Sequence, residues 1–151
     1  MRRFPRWMRR TFWGAIALFA IIQLVPVGRD HDNPAVTRAA AFAPGEGSDL
    51  VRGTCFDCHS NETTWPWYSN VAPMSWLIQH DVDEGRAALN FSRWDRPQEG
   101  AKDLLEVVEE GEMPPMTYTL LHPGARLTDE ERATLLAELR AMLERSPPSG
   151  S

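Results

Sequence analysis

The chain has only two cysteines among its 151 residues. Both fall in one short run, which leaves no thiol for a second cluster or a structural disulfide. There is no second C-x-x-C and no H-x-x-x-H, so a closed four-ligand zinc site lacks its usual spacing. No run of Val, Ile and Thr marks a sheet, which removes the βαβ setting of a thioredoxin-like pair. No internal repeat and no signalling domain is visible. No acidic residue precedes position 28, whereas five arginines do. Of sixteen basic and twenty-one acidic residues, the remainder therefore keeps eleven basic against twenty-one acidic. That sign argues against nucleic-acid binding. It suits either a solvated, self-repelling surface or the steering of a basic partner.

The one cysteine run reads Cys55-Phe56-Asp57-Cys58-His59. C-x-x-C-H is the attachment signature of c-type haem. The two-residue gap puts both sulfurs on one helical turn, along one haem edge, and the adjacent histidine reaches the iron from the same turn. The competing readings are a zinc site that recruits His80 or His122, a redox pair, and a chance match. A five-residue motif needs support from elsewhere in the chain.

That support begins at the N-terminus. Arg2, Arg3, Arg6, Arg9 and Arg10 precede an uncharged stretch from Thr11 to Val27. Its seventeen residues meet the lower limit for a spanning helix, about 17. Trp7 and Trp13 suit an interfacial belt, and the arginines keep their end in the cytoplasm. No small-residue cleavage site follows closely, so an uncleaved anchor is favoured over a removed signal. Arg9-Arg10-Thr11-Phe12 only faintly matches a twin-arginine signal. The expected organisation is a basic cytoplasmic stub (1–10), a transmembrane anchor (11–27), a linker (28–45), a haem-binding cytochrome c-type domain (46–145) and a disordered tail (146–151). The anchor places that domain at the periplasmic face of a bacterial inner membrane.

Within the domain, a helix is expected from about 47 to 58, ending on the haem motif. An aromatic loop follows over 61–70. A second helix runs from about 73 to 90, with Pro73 in its first turn. A third spans 100–110 and stops at Gly111. Residues 112–124 read as irregular. Thr128-Asp129-Glu130-Glu131 is a capping box that opens the last helix. Leu135, Leu136, Leu139, Met142 and Leu143 form its apolar stripe. The fold class is all-α: a cytochrome-c-like domain wrapped around one covalent haem.

His59 supplies one axial ligand. The candidate for the other is Met113, in Gly111-Glu112-Met113-Pro114-Pro115, where two prolines hold the thioether in a rigid presentation. It lies 58 residues beyond Cys55, enough chain to return on the far side of the haem. Met116, His80 and His122 are the alternatives, and a methionine is more often a packing residue. His/Met ligation raises the potential. Trp65, Trp67 and Tyr68 are candidates to wall the haem edge and bond its propionates, against an ordinary aromatic minicore. Arg86, Arg93 and Arg96 are candidate propionate partners against plain surface pairing.

The stretch CFDCHSNETTWPWYSNVA, from Cys55 to Ala72, resembles the bacterial haem-binding domain family. These are small, membrane-anchored, single-haem c-type cytochromes. The resemblance extends through Asp81-Val82-Asp83-Glu84-Gly85-Arg86, Leu89-Asn90-Phe91-Ser92, Gly111-Glu112-Met113-Pro114-Pro115, Tyr118, His122-Pro123 and Ala125-Arg126-Leu127-Thr128. It covers about residues 30–143. It implies covalent haem c at Cys55 and Cys58, His59 proximal and Met113 distal. Met116 departs from the pattern, in which an aromatic residue is more usual. The expected function is one-electron transfer to redox partner proteins, without a substrate. The alternatives are a peroxidase-like haem enzyme, with His122 or Glu112 as its acid–base group, and a gas or redox sensor.

Overall fold

The computed structural model describes residues 5–150. Arg2, Arg3 and Ser151 lie outside them. Among the described residues every regular element is helical: α1 (Arg6–Ile22), α2 (Glu46–His59), α3 (Met74–Ala88), α4 (Leu104–Glu109), α5 (Met116–Leu121) and α6 (Asp129–Arg145). The chain divides into two compact units. One takes the residues up to His31 together with Trp65–His80. The other takes Asp32–Thr64 and everything from Asp81.

In the first unit α1 starts behind Pro5 and buries no residue. Its end is tied by Gln23, whose amide bonds Ala72 in both directions at 2.9 Å. The structure does not support the expected transmembrane helix over 11–27. Helix α1 stops at Ile22, and Arg6, Arg9 and Arg10 occupy its first turns. The uncharged part from Thr11 to Ile22 spans about 18 Å at 1.5 Å per residue, against a hydrocarbon thickness of about 30 Å. No described helix is long and apolar enough to cross a membrane.

In the second unit the core gathers on α2, α4 and α6. Val51, Leu139 and Met142 are fully buried, with Leu135, Val108 and Phe91 around them. The start of α6 is the expected capping box. Thr128 Oγ1 accepts from Glu131 N at 3.2 Å, and Glu131 Oε2 accepts from Thr128 N at 2.8 Å. Thr128→Ala is expected to cost about 1 kcal/mol. That lowers the melting temperature by roughly 3–5 °C, readable by circular dichroism. Helix α4 ends at Glu109, and two residues on Gly111 has a φ of +79°, the left-handed conformation that glycine adopts without strain.

Several segments differ from expectation. The linker is an extended segment laid along 91–94: Ala40 N donates to Phe91 O, Trp94 N to Arg38 O, and Ala40 is buried. The tail expected to be disordered is pinned as far as residue 149. Trp94, fully buried, donates from Nε1 to Ser146 O at 2.6 Å, and Ser149 N donates to Trp94 O at 3.2 Å. The stretch 112–124, read as irregular, contains α5 and a 3₁₀ turn at Pro123–Ala125.

Candidate functional site

Cys55, Cys58 and His59 occupy the last turn of α2. The two intervening residues divide the work of holding that turn. Phe56 points into the core, 7% exposed, with its ring stacked on Phe91 at 5.7 Å. Asp57 is held on the other side. Its Oδ1 accepts from Thr64 N at 2.9 Å, its Oδ2 from Tyr118 Oη at 2.8 Å, and its carbonyl from Thr63 Oγ1 at 2.7 Å.

Both thiols are free. Burial pushes Cys55 up to about 11, against a bond from Thr54 that lowers it. Burial also pushes Cys58 up to about 11, helped by the charges of Asp81, Asp57 and Cys55. A redox-active or metal-binding thiol is expected in the opposite, depressed range. Among the described residues no three His, Cys, Asp or Glu side chains converge to hold a metal ion. His80, one of the two suggested zinc ligands, is exposed. The zinc reading therefore finds no converging ligand set among the described residues.

His59 is placed differently from an ordinary packed histidine. Its Nδ1 lies 3.0 Å from Gly85 O and 3.1 Å from Leu89 O. Carbonyls only accept, so Nδ1 carries the proton and Nε2 is the bare nitrogen. Burial holds the imidazole below the ordinary histidine value, opposed by the bonds to Leu89 and Gly85. A neutral ring, with one nitrogen anchored to backbone and the other free to coordinate, is the form in which histidine binds a metal. The residues present fit a haem attached at this turn.

The anchor for that ring comes from α3. Gly85 lies against α2 so closely that a Cβ there would stand 2.6 Å from Cys58 O and 3.0 Å from Cys58 C and Cβ. The sequence signal was an isolated glycine inside a helical pattern, which needs a packing reason. Arg86, one residue on, bonds Ser60 O, Asp32 O, Asn33 Oδ1 and Thr63 Oγ1 at 2.8–3.0 Å. Its guanidinium fastens the loop after His59, and these four bonds occupy donors that a propionate would need. Behind His59, Phe91 N donates to His59 O at 2.8 Å. A buried polar set holds that strip: Asn90 Nδ2 to Asn61 Oδ1 at 2.9 Å, Ser92 N to Asn90 Oδ1 at 2.9 Å, and Asn61 N to Ser92 Oγ at 3.0 Å.

These arrangements account for the segments that surround the motif in the sequence. A scan against family models decides what they belong to: the model described as haem-binding domain matches residues 17–141. The chain belongs to the haem-binding domain family. It is also 30% identical over 121 residues to the cytochrome c peroxidase Ccp of Escherichia coli (strain K12), an alignment covering 71% of this chain and 26% of that protein. The chain thus spans about a quarter of that relative's length. No solved structure matches.

The remaining candidates of this haem-binding domain divide between the units. Met113 shares the second unit with the attachment turn. It is 37% exposed, sits between α4 and α5, and donates its N–H to Val107 O at 3.0 Å. Met116 is 84% exposed. His122 stacks on Tyr118 at 4.1 Å, and its Nδ1 lies 3.1 Å from Tyr118 O. Trp65 and Tyr68 belong to the first unit. There Trp65 stacks on His31 at 4.6 Å, and Tyr68 meets Trp67 edge-on at 5.7 Å.

Proposed function

We propose that this haem-binding domain is a single-haem c-type cytochrome that carries single electrons, closed on both faces of the iron by His59 and Met113. The observation that carries the reading is the placement of His59: Nδ1 lies 3.0 Å from Gly85 O and 3.1 Å from Leu89 O, leaving Nε2 for coordination. Cys55 and Cys58 hold the group covalently by thioethers. When bound, haem c supplies the Fe(III)/Fe(II) couple. Met113 donates a soft sulfur, which favours the reduced state and raises the potential. The Arg86 and Asn90 networks keep the attachment turn still, so that little rearranges when the charge changes.

The domain works at the periplasmic face, attached to the membrane through the apolar segment 11–27. The exposed Phe12, Trp13, Leu18 and Phe19 of that segment, with Trp7 and the arginines just before it, support membrane attachment. Its partners are redox proteins at that membrane. The acidic balance of the rest of the chain favours partners with a basic face.

A second reading is peroxidase-like catalysis, favoured by the likeness to the Escherichia coli peroxidase. That likeness touches only 26% of the peroxidase. A peroxidase needs an open distal site and a poised acid–base group. His122 is engaged with Tyr118, and Glu112 is exposed.

Optical spectra of the haem-loaded protein, with and without carbon monoxide, separate the two. The expected result is a low-spin wild type that ignores carbon monoxide and shows an iron–sulfur charge-transfer band. Met113→Ala is expected to lose the band and bind carbon monoxide. A wild type that binds carbon monoxide readily has an open sixth position, and the electron-carrier reading fails.

A further inference from the structure

Helix α5 directly follows the Met-Pro-Pro segment, yet it has little to hold it. None of its six residues is buried. Met116, Leu120 and Leu121 are 84%, 68% and 50% exposed. Apolar packing of its own side chains is therefore not what fixes this helix. One bond crosses from it into the haem-attachment motif: Tyr118 Oη donates to Asp57 Oδ2 at 2.8 Å.

Both ends of that bond are prepared. Asp57 cannot swing away without giving up Thr64 N on its other oxygen. The Tyr118 ring is stacked on His122 at 4.1 Å, with the planes 20° apart. The Tyr118 backbone is tied forward by His122 N to Tyr118 O at 2.9 Å and backward by Tyr118 N to Pro115 O at 3.0 Å. The loop is moored at its other end by Met113 N to Val107 O at 3.0 Å. Met113 therefore sits on a short span between two moorings, one on α4 and one on the attachment turn. Burial, then the bond to Asp57, pushes the phenol above its ordinary value, so it remains a donor at neutral pH.

We propose that Tyr118 is a positioning residue for the distal ligand. Its hydrogen bond to Asp57 clasps α5 onto the turn that carries Cys55, Cys58 and His59, and so fixes where the Met113 sulfur is presented. This rests on the reading of Met113 as the sixth ligand. It assigns a role to the second variable position of C-x-x-C-H: Asp57 holds the far side of the site as well as its own turn.

The test uses haem-loaded full-length protein in five forms: wild type, Met113→Ala, Tyr118→Phe, Asp57→Ala and Asp57→Asn. The readouts are the iron–sulfur band, the reduction potential and the carbon monoxide association rate. Losing one charge-assisted bond, worth about 1.5–3 kcal/mol, corresponds to a rate or population change of at least about ten-fold. Tyr118→Phe and Asp57→Ala are expected to keep covalent haem, lose most of the band, bind carbon monoxide at least about ten-fold faster and fall in potential. Asp57→Asn keeps polar groups toward both Thr64 and Tyr118 and is expected to retain the band. Tyr118→Phe with wild-type band, carbon monoxide rate and potential overturns the clasp, even if its melting temperature drops, while band loss in Met113→Ala still upholds the ligand. If Met113→Ala keeps the band, the ligand reading itself fails.

Discussion

Gly85→Ala is expected to cripple haem attachment although it adds only a single methyl group. The new Cβ would lie 2.6 Å from Cys58 O, with Cys58 C and Cβ at 3.0 Å. Two of those atoms are backbone, so no side-chain rotation relieves the clash. Helix α3 must back away from α2, and Gly85 O moves with it. That carbonyl is one of two that hold His59 Nδ1, and it also accepts from Leu89 N at 2.9 Å. Overpacking of this kind costs about 1–3 kcal/mol. The expected loss of melting temperature is roughly 5–15 °C. The specific signature is a fall in the fraction of chains carrying covalent haem, read from the haem-to-protein absorbance ratio of the purified protein. A Gly85→Ala protein with wild-type haem content and wild-type melting would show that the close approach of α3 to Cys58 is not needed.

Asn90→Ala is expected to be the most destabilising single change in the polar strip behind His59. Asn90 is 4% exposed and serves three neighbours. Its side chain donates to Asn61 Oδ1 and accepts from Ser92 N, and its backbone N donates to Gln98 Oε1. Truncation leaves Asn61 Oδ1 and Ser92 N buried without those partners, at about 1–3 kcal/mol each. Asn61 N in turn depends on Ser92 Oγ, and Phe91 N on His59 O. The loosening therefore runs straight into His59. A drop of roughly 8–20 °C in the thermal transition is expected, followed through the haem absorbance. Asn61→Ala leaves Asn90 Nδ2 unpartnered but otherwise frees only the carbonyl of Ala35, an exposed residue, and is expected to cost less. Equal melting of Asn90→Ala and wild type would mean that the strip does not hold the site.

What the sequence made legible was whatever local chemistry dictates. The helical turn that carries Cys55, Cys58 and His59, the capping box at Thr128 and the stop at Gly111 each depend on residues within a few positions of one another. The stripe on α6 followed from helical spacing, and Leu135, Leu139 and Met142 are indeed the buried members. What stayed hidden depends on partners far along the chain. Gly85 meets Cys58 across 27 positions, and Tyr118 meets Asp57 across 61. Neither spacing has a periodicity to betray it. Arg86 read as a surface cation with a possible propionate, because nothing in its neighbourhood announces that Ser60, Asp32, Asn33 and Thr63 converge on it. The tail read as disordered from its Pro, Ser and Gly content. Trp94 holds it, and only tertiary structure brings Trp94 Nε1 to Ser146 O. The spanning helix was expected from an uncharged run of residues. The run is there, but the helix stops at Ile22, before Pro26.

The central claim is that Cys55 and Cys58 carry one covalent haem whose iron is bound by His59. The most direct measurement is the mass of the peptide containing Cys55–His59, released under denaturing conditions. The protein should come from a host that matures c-type haem. The account predicts a peptide heavier by one haem, with both sulfurs blocked to alkylation. A peptide of unmodified mass, with both thiols free to alkylate, would contradict it.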